Sequence, residues 1–360
     1  MKVTIVGAGP AGSTAALFLA EAGVETELVD KCRFPRHKPC AGGLFNPLLY
    51  YRDFPYLEEV EGVYIHEVRF RCGRHAAAYS SKKPLMKTLL RSDLDHFLLK
   101  KALQAGARFS LAEARPPESG TRSLHANRRE GEVFIDAAGA RRAQDYPRCG
   151  ICLVYDFKTD RAIGTAQIHY GFMGIMGYCW LYPKRGYANI GVGAYMPQQN
   201  VREVYRTYVE YLVSEGLVGI TKKDLRNMPH RAKILPFAPR AHFVSGGALL
   251  AGDSAGFVNP STGEGIYFAM LSGKLAAKTV IEKRPLAWYE AQCRRAFNTH
   301  LAPVRFGNNR ALLNRVLERA VGMSAQDERF KIMFAENFFR LGTHNLSGRF
   351  LRNLVSRVGL

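Results

Sequence analysis

Cys40 sits in the stretch His37-Lys38-Pro39-Cys40-Ala41-Gly42-Gly43-Leu44. A thiol placed there has four candidate uses: half of a disulfide, a metal ligand, a nucleophile, or a group lying beside a large flat molecule. A free thiol ionises near pH ~8.5, so it can hold or surrender a proton close to neutrality. Gly7-Ala8-Gly9-Pro10-Ala11-Gly12 reads GxGxxG. In that spacing Gly7 permits a tight turn, Gly9 lets backbone approach a pyrophosphate, and Gly12 lets a helix pack closely on a strand. Asp30, followed by Lys31, is placed to accept from ribose hydroxyls. A second glycine cluster, residues 249–270, contains Gly252-Asp253 and then Gly263-Glu264-Gly265-Ile266. Its acid suits a sugar-type hydroxyl, and its glycines suit a flat ring or phosphate chain held against backbone N–H groups. Tyr178, Trp180 and Tyr182 alternate, so on a strand they share one face, with Cys179 and Leu181 on the other. Lys184, after Pro183, is free to reach an anionic head group or to stay in water.

These residues need elements to position them. Residues 2–6, KVTIV, read as a strand; the glycine turn leads into a helix; VETELVD is a second strand ending at Asp30. This is a βαβ start, with the helix N-terminus offering free N–H groups to phosphates. Residues 61–82 read as short strands, LLRSDLDHFLLKKALQAG as an amphipathic helix, and GEVFIDAAGA as a buried strand. Cys149 to about Tyr195 is all strand, residues 201–216 and 222–228 are helical, and the Arg-rich tail from about Pro285 is helical. The predicted class is α/β: a Rossmann-type dinucleotide domain interrupted by insertions that build a mainly antiparallel sheet, followed by a helical C-terminal region. The expected division is 1–60, 83–148 and 236–284 for the nucleotide domain, 61–82 and 149–235 for the sheet domain, and 285–360 for the helical region.

Composition narrows the function. The 360 residues carry 51 Lys+Arg against 31 Asp+Glu, a formal charge of +20. Such a field favours nucleic acid, an anionic membrane surface or phosphorylated substrates. No nucleic-acid motif of the usual kinds is present, so nucleic acid is excluded from the expected partners. Seven cysteines, at low density and without a signal peptide, point to a reducing, cytoplasmic compartment. Disulfide use of Cys40 is thereby disfavoured, and no Cys/His set of zinc spacing surrounds it, so no metal site is expected. Cys149-Gly150-Ile151-Cys152 is a lone CxxC on a strand and reads as structural. No run of eighteen apolar residues exists.

Four stretches together resemble the geranylgeranyl reductase family, within the flavoproteins of the p-hydroxybenzoate hydroxylase type. They are GAGPAGSTAA, DKCRFPRHKPCAGGL, GYCWLYPKRGYANIGVG (with Tyr182 where the family has Phe) and GDSAGFVNPSTGEGI. The resemblance covers roughly residues 1–280. It implies FAD as cofactor, with contacts at Ala11, Asp30, Cys40, Ala41, Gly43, Arg91, Asp253, Gly265 and Ile266. Ala138 stands where the family often has an acid. The implied reaction is reduction of carbon–carbon double bonds in an isoprenoid chain, with Tyr178, Trp180 and Tyr182 walling an apolar channel. Cys40 would face the flavin, with the proton coming from Cys40 or from water; a purely packing role for the thiol stays open. An FAD-dependent aromatic monooxygenase or halogenase of the same fold is the alternative. No second nucleotide fingerprint is visible, so NAD(P)H and a ferredoxin-type donor protein are both open as electron source.

A prenylated lipid substrate implies a peripheral encounter with an anionic membrane. The tail interleaves Arg305, Arg310, Arg315, Arg319, Arg340, Arg349, Arg352 and Arg357 with Phe306, Leu312, Leu313, Phe338, Phe339, Phe350 and Leu351. That pattern suits an interfacial helix, and it equally suits packing on the rest of the protein.

Overall fold

The computed structural model describes residues 1–114, 132–159, 164–196, 200–297 and 310–341. A six-stranded sheet is built in the order Val244–Ser245, Ala248–Leu250, Glu132–Asp136, Lys2–Val6, Glu25–Asp30, Arg108–Leu111. Every pair in it is parallel except the first. Val3, Ile5 and Leu28 are wholly buried, as strands of a covered parallel sheet must be. The helices Pro10–Glu21, Arg91–Gln104 and Ile266–Ile281 share one core with these strands. Pro10 opens the first helix, where its missing N–H costs nothing.

A seven-stranded sheet runs Arg231–Pro236, Cys149–Lys158, Tyr187–Tyr195, Gly177–Lys184, Ala166–Tyr170, Glu67–Cys72, His75–Ser80. Only the pair Ala166–Tyr170 with Glu67–Cys72 is parallel. Strand periodicity sends Cys179 and Leu181 to one face, into a core with Tyr205, Tyr208 and Leu212 of the helix Val201–Ser214. Trp180 and Tyr182 enter the opposite core, shared with Phe330, Phe334 and Phe338. Those phenylalanines belong to the helix Glu328–Leu341, which with Arg310–Gln326 covers that face of the sheet. A three-stranded sheet, Gly43–Phe45, Met86–Thr88 and Val63–Ile65, lies beside it.

The structure corrects one reading of the tail. Phe338 and Phe339 are buried, Phe339 edge-on to Phe45 and Phe338 edge-on to Phe70, so they are core residues and not a bilayer-facing stripe. Arg305, Arg349, Arg352, Arg357, Phe306, Phe350 and Leu351 lie outside the described residues, as do the side chains of Arg310, Leu312, Leu313 and Arg340. Among the described residues no helix is long and apolar enough to cross a membrane.

Candidate active site

The carboxyl ends of the parallel strands open onto a cavity of about 970 Å³. One part of its wall is Gly7, Gly9, Pro10, Ala11, Asp30 and Lys31; Gly252, Asp253, Gly263, Gly265 and Ile266 supply another. The large sheet adds Tyr170, Tyr178, Trp180, Tyr182 and Cys152, and the last two helices add Leu317, Phe334 and Phe338. Cys40, Ala41, Gly43 and Arg91 line the same space.

The glycines of the first turn divide by cause. Gly7 has φ +102°, and a Cβ there would lie 2.4 Å from the Ala137 carbonyl oxygen. A Cβ on Gly12 would lie 1.8 Å from the Gly7 oxygen, so the helix could not pack. Gly12 therefore serves the fold and does not line the cavity. Gly9 differs: its φ is −80°, and a Cβ would meet nothing nearer than Arg36 Nη2 at 3.7 Å. The protein alone has room for a side chain at Gly9. The space left beside it, at a helix N-terminus, fits a passing pyrophosphate.

Charge around the cavity fits the same group. Arg91 is buried and donates two hydrogen bonds to Asp95, at 2.8 and 3.0 Å. Arg36 lies 3.3 Å from Asp95 and 3.9 Å from Asp30. Lys233 pairs with Asp253 at 2.6 Å. Among the described residues no carboxylate forms an ion pair with Lys38; burial, then Lys233, Arg91 and Arg36, push its ammonium down to about 8, with Asp253 opposing them only in part. A cluster with more cations than anions is completed by a bound polyanion. Asp30 already accepts from the Ala8 N–H at 2.8 Å and the Cys32 N–H at 2.9 Å, which holds the glycine turn in place. Burial drives the Asp253 carboxyl up, but the Lys233 ammonium holds it below the usual range.

The Cys40 loop is braced from the aromatic strand. Trp180 Nε1 donates to Asn189 Oδ1 at 2.7 Å, and Asn189 Nδ2 donates to the Cys40 carbonyl at 3.2 Å and to Asp156 at 2.6 Å. The Gly42 N–H donates to Cys40 Sγ at 3.3 Å. Burial pushes the Cys40 thiol up, yet Arg91 and Lys233, aided by that N–H, bring it below the ordinary thiol value. All seven cysteines are free. Tyr178 turns its hydroxyl to the Thr262 carbonyl and Tyr195 donates to the Pro260 carbonyl, so the large sheet clamps the second glycine loop.

One expectation changes. Lys184 neither lines the cavity nor reaches solvent; it is buried and donates to Asp156 at 2.9 Å, reaching across the strand Tyr187–Tyr195 that separates theirs in the sheet. Cys152 of the CxxC reaches the cavity wall, while the Cys149 thiol donates to the Ala143 carbonyl. Beside Ala138, which stands where the resembled family often has an acid, Asp136 accepts from the Ala138 N–H and from Ser254, both at 3.0 Å. Lys38, Lys233, Glu264 and Phe334 are given no role by the sequence, and Cys152 and Phe338 are given other ones, yet all six line the cavity. Among the described residues no group of three or more His, Cys, Asp or Glu is placed to hold a metal ion.

This fold and cavity define an FAD-dependent oxidoreductase, and an FAD binding domain family matches residues 1–47. An uncharacterized protein of Methanosarcina barkeri is 30% identical over 296 residues, covering 77% of this chain and 74% of that one. The geranylgeranyl diphosphate reductase of Rhodobacter capsulatus is 27% identical over 302 residues, covering 77% and 74%. A solved geranylgeranyl bacteriochlorophyll reductase-like protein of Thermoplasma acidophilum superposes with a TM-score of 0.64 at 20% identity, covering 99% and 96%. A flavin-dependent brominase shares the fold as well, with a TM-score of 0.66 at 15% identity, covering 99% and 98%. The chain belongs to the geranylgeranyl reductase family.

Proposed function

We propose that this protein saturates carbon–carbon double bonds of a geranylgeranyl-type chain carried on a lipid, quinone or pigment precursor. The observation that carries the reading is the continuity of one cavity. Its wall runs from the Gly9 turn and the Lys38–Lys233–Arg91 cluster, past Cys40, to Tyr170, Tyr178, Trp180, Tyr182, Phe334 and Phe338. Bound and reduced FAD supplies the hydride. The protein's share is to hold the cofactor, align an unpolarised alkene and exclude water.

The residues divide that work. Gly9, Asp30, Lys38, Arg91, Lys233 and Asp253 would hold the phosphates and hydroxyls of FAD. Ala41, Gly43, Gly265 and Ile266 would lie along its ring. The aromatic wall offers a dry surface to a polyprenyl chain and little to a hydrophilic one. Cys40, its thiol drawn below the ordinary value by Arg91 and Lys233, would lie beside that ring. The brominase-like fold keeps an aromatic monooxygenase or halogenase as second reading, favoured only by that likeness.

The substrate class brings a peripheral encounter with a membrane; the charge of +20 suits an anionic surface and weakens with salt. The donor that re-reduces the flavin is NAD(P)H or a ferredoxin-type protein. Product analysis tests the reading. Chemically reduced protein, incubated without oxygen with a geranylgeranylated lipid, should yield products heavier by the hydrogens of one or more reduced bonds. Recovery of the lipid unchanged, with reduced flavin persisting, would contradict it.

A further inference from the structure

One end of the seven-stranded sheet brings exposed apolar and basic residues to the edge of the cavity. Strand ends lie side by side there: Pro236, Cys149, Tyr195, Gly177, Tyr170 and Cys72 follow one another across the sheet. Arg148, Tyr170, Met176, Gly177, Tyr195 and Phe237, all at that end, line the cavity. Burial grades away from it. Gly177, Tyr178 and Tyr195 are half-buried, whereas Trp180, Tyr182 and Asn189, further along the same strands, are buried. The aromatic wall therefore shallows toward this end of the sheet.

The turn joining Ala166–Tyr170 to Gly177–Lys184 is the apolar part of this rim. The Gly171 N–H donates to the Gly177 carbonyl at 3.1 Å and the Gly174 N–H to the Gly171 carbonyl at 2.8 Å, so the turn is closed and fixed. Within it Met173 takes φ +52°, a left-handed conformation that residues with a Cβ adopt reluctantly. Its side chain is 51% exposed. Phe172 anchors the turn instead, its ring 4.9 Å from His169 and 5.3 Å from Tyr208. Met196 is also exposed and stands close by, because the Tyr195 N–H donates to the Met176 carbonyl and the Met196 N–H to the Cys149 carbonyl, both at 2.9 Å. Folding gains nothing from thioethers displayed to water, one of them on a strained backbone. Arginines flank the pair. Arg148 precedes Cys149, and exposed Arg74 follows Gly73 in the turn after Glu67–Cys72. Exposed Arg315 follows Asn314, which adjoins Gly171 and whose carbonyl accepts from the Cys72 thiol. Of the carboxylates nearby, Glu318 adjoins Gly73, and Asp145 is paired with Arg142 and Arg240.

We propose that this end of the sheet is the face by which the protein docks on an anionic lipid bilayer. Met173 and Met196 enter the acyl boundary, and Arg74, Arg148 and Arg315 meet the headgroups. This rests on the prenyl-lipid reading above and deepens it by naming the surface through which the chain enters. Apolar side chains at the centre with cations at the flanks are what an interfacial contact uses. The overall charge of +20 favours the approach. A prenyl chain leaving the bilayer beside Met173 meets Met176 and Tyr178, then Trp180 and Tyr182, along one strand of the cavity wall. Burial of Phe338 and Phe339 takes them out of any bilayer contact, and the sheet end supplies apolar residues in their place.

The test is flotation of the flavin-loaded protein with vesicles of phosphatidylcholine, alone or mixed with phosphatidylglycerol. The wild type should bind the anionic vesicles, bind the neutral ones more weakly, and be released by salt. A double variant, Met173→Asn with Met196→Asn, should melt like the wild type, since both side chains are exposed and Asn takes left-handed backbone more readily than Met. It should nonetheless bind anionic vesicles ~10-fold more weakly at every salt concentration. Arg74→Gln should weaken only the part of binding that salt removes. Met173→Trp should add an emission, beyond that of Trp180 and Trp288, that brominated acyl chains quench. Wild-type binding by the double variant, absence of that quenching, or a wild type that does not float overturns the proposal. With a geranylgeranyl lipid carried in the vesicles, anaerobic reoxidation of the reduced flavin should slow ~10-fold in the double variant. A wild type that floats, with Met173→Trp quenched, but that no prenyl lipid reoxidises overturns the alkene reading while upholding the docking face.

Discussion

Gly9→Val should separate folding from cofactor holding. The protein has space for a Cβ at Gly9, whose nearest neighbour would be Arg36 Nη2 at 3.7 Å, and its φ of −80° suits any L-residue. Exchanging a helix-capping glycine for valine should cost the fold only about 1 kcal/mol. The methyl groups would occupy the space that a pyrophosphate needs, weakening FAD by at least about tenfold, ~1.4 kcal/mol. With FAD at ~100 times the wild-type Kd, the cofactor stabilises the wild type by about 2.7 kcal/mol and the variant by only about 1.4 kcal/mol. Gly12→Val should behave differently, since its Cβ would strike the Gly7 oxygen at 1.8 Å, and is expected not to fold. The assays are flavin absorbance of the purified proteins, calorimetric titration with FAD, and thermal melts with and without it. A folded Gly9→Val with full flavin occupancy and wild-type affinity would refute the phosphate assignment.

Further outcomes follow from the same geometry. Alkylation of Cys40 as a function of pH should show an inflection below the ordinary thiol value, and Lys233→Met should move it upward, because the Lys233 charge holds the thiolate; an unmoved inflection would remove Lys233 from that role. Lys233→Met should also cost about 3–5 kcal/mol at pH 7 by leaving Asp253 buried and unpaired. Asp253 is depressed in the fold, so its stabilisation is present above the ordinary value of 3.8 and is lost as pH falls through its lower folded value; the wild-type–variant gap in urea melts should close there. Phe338→Ala should cost about 3–5 kcal/mol, as expected of a core phenylalanine touching Phe45, Phe70 and Tyr170; a loss below about 1 kcal/mol in urea unfolding would return Phe338 to the surface. Lys184→Met should disturb the brace of the Cys40 loop, read as altered Cys40 alkylation, since both Lys184 and Asn189 act on Asp156.

Local signals were the readable ones. GxGxxG directly after KVTIV announced the strand, turn and helix, and the alternation Tyr178, Trp180, Tyr182 announced which face they would share. Both depend on residues a few positions apart, where backbone period decides the outcome. Lys184 was misread because its partner Asp156 lies 28 residues away, across a sheet register that no local period encodes. Glu264 stood without a role inside a glycine cluster; its hydrogen-bond partner, Tyr50, is 214 residues distant. Phe338 looked like part of an amphipathic stripe. Only the packing of its helix on the large sheet turns that stripe into a cavity wall.

The most direct measurement is anaerobic mixing of the reduced, flavin-loaded protein with a geranylgeranyl lipid while flavin absorbance is followed. The account predicts return of the oxidised flavin spectrum in step with loss of one double bond per flavin. It is contradicted if the flavin stays reduced with the lipid and turns over only when oxygen and an aromatic substrate are added.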